Sequence, residues 1–139
     1  MDDFKLDNFL KETGNVFAEI ETLTVSERSE VMTDLLKQGK LPNESSNLFI
    51  AFRESLLEAN FTSDETYNLQ RIFDSLDFEV KGDVYLIWDD KSIDRIAISA
   101  LVSNWQHIWY GIADDVVILY HSISKQILLI THYGSVFHN

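Results

Sequence analysis

Val116-Val117-Ile118-Leu119-Tyr120-His121-Ser122-Ile123-Ser124-Lys125-Gln126-Ile127-Leu128-Leu129-Ile130-Thr131 decides the fold. Two apolar runs of about five residues flank a polar link; each is rich in β-branched and aromatic side chains, and each is too short for a stable helix. The reading is a β-hairpin. A four-residue loop sets Tyr120 opposite Ile127, Ile118 opposite Leu129 and Val116 opposite Thr131, with Leu119 and Val117 opposite Leu128 and Ile130 on the other face. The same register places His121 opposite Gln126 and His132 opposite Asp115. Both faces of such a hairpin are apolar, so the rest of the chain has to cover them.

Upstream of the hairpin the spacing turns helical. Phe4, Leu6, Phe9, Leu10, Phe17, Ile20 and Leu23 predict one bent helix, or two short ones, over residues 3–23, with Gly14 as the weak point. Thr24-Val25-Ser26-Glu27 is a capping box opening a helix with the stripe Met32, Leu35 and Leu36, which Gly39 and Pro42 stop. Asn43 caps the next helix, whose buried face is Leu48, Phe49, Phe52, Leu56 and Ala59, with Asn60 closing it in the left-handed region. A second capping box, Thr62-Ser63-Asp64-Glu65, precedes Leu69, Ile72, Phe73 and Leu76, and these two helices are expected to pack as antiparallel neighbours.

Beyond the Lys81-Gly82-Asp83 turn, Val84–Trp88 reads as a strand. Asp89-Asp90-Lys91-Ser92 ends it, and Ile93, Ile96, Ala97, Ala100 and Leu101 predict an inserted helix. Trp105–Tyr110 fits a half-buried strand or an ordered loop, and Val136-Phe137 a short final strand at an edge. The class is therefore α+β: about four N-terminal helices, packed on one face of a small, mostly antiparallel C-terminal sheet with one inserted helix. A chain of 139 residues makes one domain, with a helical acidic half (1–82) and a strand-rich aromatic half (83–139).

Charge bounds the function. The net charge is −12. Residues 1–90 carry 20 acidic and 8 basic side chains, whereas residues 91–139 carry 3 of each together with all four histidines. That balance argues against nucleic acid and against an anionic membrane surface. The absence of cysteine removes disulfides, thiolate nucleophiles and Cys-ligated zinc. Met1-Asp2-Asp3-Phe4 has no signal-like apolar region and no run approaches the ~20 apolar residues of a bilayer span, so the cytoplasm is the expected compartment.

No segment carries a catalytic or cofactor motif, and no cofactor or metal is expected. The histidines lack metal-ligand spacing, no nucleophile elbow surrounds Ser122, Ser124 or Ser135, and the five glycines are scattered turn residues. A His132-Asp115 pair could orient a general base but is more simply a cross-strand contact. Of the acidic pairs, Asp64-Glu65 opens a helix, while Asp89-Asp90 and Asp114-Asp115 both end strands beside aromatics and are candidates to share one edge of the sheet. Three tryptophans lie within 22 residues, Trp88 to Trp109. Asp89, Asp90, Trp105, Trp109, Tyr110, Asp114 and Asp115 are the candidate partner-binding residues. The function these features favour is binding another protein, most concretely as an inhibitor or immunity protein that neutralises a basic partner such as a nuclease toxin. The chain is expected to be a monomer or homodimer. The alternatives are a homodimeric structural protein and a small enzyme with a dispersed His/Asp site.

Overall fold

A computed structural model describes residues 1–41 and 47–139. In chain order the elements are α1 (Asp3–Thr13), β1 (Ile20–Thr22), α2 (Val25–Gln38), α3 (Leu48–Ser55), β2 (Leu57–Asn60), α4 (Leu69–Leu76), β3 (Asp83–Asp89), β4 (Ser92–Ala97), α5 (Ile98–Ser103), α6 (Trp105–Ile108), β5 (Val116–His121), β6 (Gln126–Thr131) and β7 (Ser135–His138). The strands form one antiparallel sheet in the order β1-β4-β3-β5-β6-β7-β2.

The β5–β6 hairpin sits near the middle of that sheet, in the register its sequence predicts: Tyr120 pairs with Ile127, Ile118 with Leu129, Val116 with Thr131 and His121 with Gln126. Lys125, at φ 63°, takes the left-handed turn position. Period-two alternation then splits the apolar runs between two layers. Val117, Leu119, Leu128 and Ile130 face α1, α4, α5 and α6, in a core with Phe9, Ile72, Phe73, Leu101, Trp105 and Trp109. Ile118, Tyr120, Ile127 and Leu129 face α2 and α3, in a core with Val31, Leu35, Leu36 and Phe52. Helices therefore cover both faces rather than one. The near-continuous apolar strands require this, because each fully buried aliphatic side chain is worth about 1.5–3 kcal/mol over an exposed one.

Two helix starts follow their sequence signals. The Thr24 hydroxyl accepts from the Glu27 amide while the Glu27 carboxylate accepts from the Thr24 amide, so α2 has its capping box. The Thr62–Glu65 box also forms, but it opens the single 3-10 turn Asp64–Tyr67; α4 starts later, capped by Asn68. Pro42 and Asn43 lie outside the described residues; the N-cap of α3 is Asn47, whose side chain accepts from Ile50 N.

Several expectations are corrected. The first helix ends at Thr13, where Gly14 turns left-handed (φ 76°) and its amide donates to the Leu10 carbonyl. Ile20–Thr22 pairs with β4 instead of continuing it. Ser92–Ala97 is a strand, because Asp89–Ser92 closes a hairpin onto β3, with the Lys91 amide donating to the Asp89 carboxylate at 2.7 Å. The inserted helix is only Ile98–Ser103, and Trp105–Ile108 is a helical turn rather than a strand or an ordered loop. The helix from Leu48 stops at Ser55: Leu56 is extended, and Leu57–Asn60 pair with β7, so Ala59 and Asn60 are strand residues and β7 is an interior strand. α3 and α4 lie on opposite faces, since Phe52 and Ile72 belong to different cores.

Candidate functional site

β3 ends where β5 begins. Ile87 pairs with Ile118, so the end of β3 at Asp89 and the start of β5 at Val116 lie at the same end of the sheet. This register places Asp89-Asp90 and Asp114-Asp115 at that same end of the sheet. Their side chains then diverge in role. Asp89 and Asp90 are exposed on the β3–β4 turn. The Asp115 side chain, 76% exposed and at φ 64°, lies 2.9 Å from His132 Nδ1, while the His132 amide donates to the Asp115 carbonyl at 3.0 Å. The cross-strand His132–Asp115 contact is therefore present, on the surface.

Asp114 points inward. Its Oδ1 is 2.5 Å from Lys5 Nζ, and its Oδ2 accepts from the Tyr110 amide. Lys5 is only 3% exposed; its ammonium also donates to the Ile108 carbonyl and lies 3.8 Å from the centre of the Trp88 ring. Burial lowers the Lys5 pKa, opposed by the bond to Asp114. Beside it Asp94, fully buried, takes the Met1 amino group, the Thr22 hydroxyl at 2.8 Å and the Trp88 indole N–H at 2.9 Å. Each of these charges has an opposite partner and further hydrogen bonds, the condition for burying ions at all. Sequence reading missed Lys5 and Asp94. The available signals were that Lys5 shares the helical face of Phe9, and that Asp94 alternates into the layer of Ile96.

Trp105 and Trp109 are not surface anchors. They are 2% and 1% exposed and stack at 5.7 Å with their planes 10° apart. Their indole N–H groups donate to Thr66, Trp105 to its carbonyl at 2.8 Å and Trp109 to its hydroxyl at 3.1 Å. Thr66 supplies the buried partner that an indole needs, which lets both rings leave the surface. Tyr110 is half-buried behind Phe4. Of the residues read as partner-binding, Asp89, Asp90 and Asp115 remain exposed.

The exposed aromatic and apolar groups next to Asp115 come from elsewhere. A shallow groove of about 200 Å³ runs between Phe49, Ile50 and Arg53 of α3 and the strand-end residues Asp115, Val116 and Tyr133. Ile50 and Tyr133 are 53% and 46% exposed. The Arg53 guanidinium lies over the rings of Tyr133 and Phe137 at 5.7 and 5.5 Å. The groove is smaller than the ~300–1,000 Å³ typical of small-molecule sites and its walls are mixed, which suits side chains of a docked surface better than an enclosed substrate.

The other candidates resolve into structural contacts. His121 Nε2 bonds the Lys81 carbonyl and its Nδ1 accepts from the Ser124 amide, so both ring nitrogens are engaged. His107 meets Glu12 at 2.5 Å. The Ser135 hydroxyl donates to Glu58 and that of Ser124 to Gln126, neither to a histidine. Among the described residues no group of three His, Cys, Asp or Glu side chains is placed to hold a metal ion, and no helix is long and apolar enough to cross a membrane. Comparison with protein-family models, with curated proteins and with solved structures yields no match to this chain.

Proposed function

We propose that this chain acts by binding a basic protein, and most concretely that it is an inhibitor or immunity protein covering a cationic surface such as that of a nuclease toxin. The observation that carries the reading is a shallow groove at one end of the sheet that joins exposed Asp115 with exposed Ile50 and Tyr133, with exposed Asp89 and Asp90 on the β3–β4 turn at the same end of the sheet. Apolar and aromatic contact area bordered by carboxylates is the composition of a docking patch with a charged rim. The net charge of −12 supports the same reading, since it steers a cationic partner and speeds encounter. Five ion pairs and two histidine–carboxylate contacts among the described residues engage only a minority of the carboxylates, which leaves a strongly negative surface.

The test is retrieval of partners from the source cell with the tagged protein, washed at low and at high salt. A basic protein held at low salt, weakened by high salt and lost with the Asp89→Lys/Asp90→Lys/Asp115→Lys variant supports the reading. Retrieval of only the chain's own copies replaces it with a homodimer.

A further inference from the structure

The sheet has two ends in its strand order, β1 and β2. β1 is three residues long, and the Glu21 side chain on it is already paired with Arg95. β2 is four residues long, and no strand lies beyond it among the described residues. Its register tells which backbone groups are unpaired. The Phe61 amide donates to the Gly134 carbonyl at 2.9 Å, continuing the ladder in which Asn60 lies opposite Ser135. In an antiparallel pair the groups facing the neighbour alternate, so Leu57, Ala59 and Phe61 turn their N–H and C=O toward β7, and Glu58 and Asn60 turn theirs away from the sheet. Glu58 and Asn60 are exposed, and Leu57 is 66% exposed. β2 is short and carries the charge of Glu58, but it has no proline, no lysine and no bulge to block an added strand.

We propose that β2 is a docking edge, and that an extended, lysine- or arginine-bearing segment of the partner adds to the sheet there, antiparallel or parallel, on the amides and carbonyls of Glu58 and Asn60. This inference rests on the reading of a cationic protein partner and specifies how part of it is held. Main-chain hydrogen bonds supply attachment in such strand addition, and alternate side chains supply selection. The selection here is electrostatic: from Arg53 to Glu65 the chain carries four carboxylates and one guanidinium, and that guanidinium is folded over Tyr133 and Phe137. Glu58 itself stays in place through the Ser135 hydroxyl, 2.8 Å from Oε1. A second copy is the poorer occupant, because two-fold pairing of β2 would bring the two Glu58 carboxylates close and join two chains of charge −12.

The probe is a heptapeptide in which lysine alternates with valine and threonine, and its control carries glutamate in place of lysine. Amide exchange and backbone shifts of the full chain are followed by NMR. The expected result is protection of the Glu58 and Asn60 amides by the lysine peptide alone. Asn60→Pro is then expected to weaken binding at least tenfold; it deletes an outward N–H and leaves the β7 ladder intact, as edge prolines do. Glu58→Lys, which keeps the backbone, is expected to weaken it as well. Binding of the lysine peptide without protection of these two amides, or binding unmoved by Asn60→Pro, overturns strand addition; the charge-based reading survives if Asp89→Lys/Asp90→Lys/Asp115→Lys still abolishes it. Absence of binding by either peptide at low salt overturns strand addition too, and salt-dependent retention of a basic protein in the pull-down then decides separately whether the partner reading stands. Equal binding of the glutamate peptide overturns the choice of a cationic segment. A dimer of the chain that Asn60→Pro dissolves assigns the edge to a second copy instead.

Discussion

The face of the sheet toward α1, α4, α5 and α6 buries stacked Trp105 and Trp109 together with Lys5, Asp94 and Asp114. The face toward α2 and α3 buries Leu35, Phe52, Ile118, Ile127 and Leu129, and its main polar contact is at the rim, where the Tyr120 hydroxyl donates to Asp34. The two layers are built from different chemistry. In the aliphatic layer, loss of one side chain removes packing area. In the charged layer, loss of one group leaves another buried without its partner, and that cost does not scale with area.

The sharpest way to break this contrast is Asp114→Ala. It leaves the Lys5 ammonium, 3% exposed, without its hydrogen-bonded carboxylate, held by the Ile108 carbonyl and the Trp88 and Tyr110 rings with Asp2 and Asp94 at longer range. Breaking a buried pair on one side costs about 3–5 kcal/mol, and the Lys5→Met/Asp114→Asn double variant should recover much of that. Urea unfolding of the three proteins measures both quantities. An Asp114→Ala cost below about 1 kcal/mol would place Lys5 among hydrated surface cations, where pairs contribute little.

The same division explains what the sequence let one read. β5 and β6 were legible to the residue, because period-two apolar runs joined by a short polar link admit one register. α2 was legible from Thr24 and Glu27. β4 was not: Ile93, Ile96 and Ala97 fit a helical stripe as well as a strand, and Asp94, the residue that breaks a helical reading, looks like surface until Trp88, Thr22 and Met1 surround it. β1 and β2 are short, and pairing with β4 and β7 decides them, not their own composition. Of the candidate site, what was readable from strand ends is that Asp89-Asp90 and Asp114-Asp115 lie at the same end of the sheet. The burial of Trp105 and Trp109 was not, since it depends on Thr66, some forty residues away in the chain.

Thr66→Val sharpens that last point. It keeps the carbonyl that accepts from Trp105 and deletes the hydroxyl that accepts from Trp109. An unsatisfied indole N–H at a position 1% exposed should cost about 1–3 kcal/mol by denaturant unfolding. Tryptophan fluorescence should shift little, because both rings stay in place. A red-shifted spectrum would mean that Thr66 also holds the pair inside the core.

On the opposite layer, Tyr120→Phe removes one hydrogen bond at a rim and should cost about 1–2 kcal/mol near neutral pH. Its pH dependence is more telling than its size. Burial and then Asp34 hold the Tyr120 phenol above its ordinary value of 10.0. A raised folded value means that the contribution is whole below pH 10 and falls as pH rises beyond it. The Tyr120 hydroxyl, opposed by desolvation and helped by Lys125, holds Asp34 below its ordinary value of 3.8. That contribution is present above pH 3.8 and is lost as pH falls through the folded value. Wild type should therefore exceed Tyr120→Phe by the widest margin between these limits, with the gap closing at both the acidic and the alkaline end. Unfolding free energies at pH 3, 7 and 11 test the sign on each side. A gap that stayed constant across all three would mean that the hydroxyl stabilises this layer by packing alone, which is how the rest of that layer works.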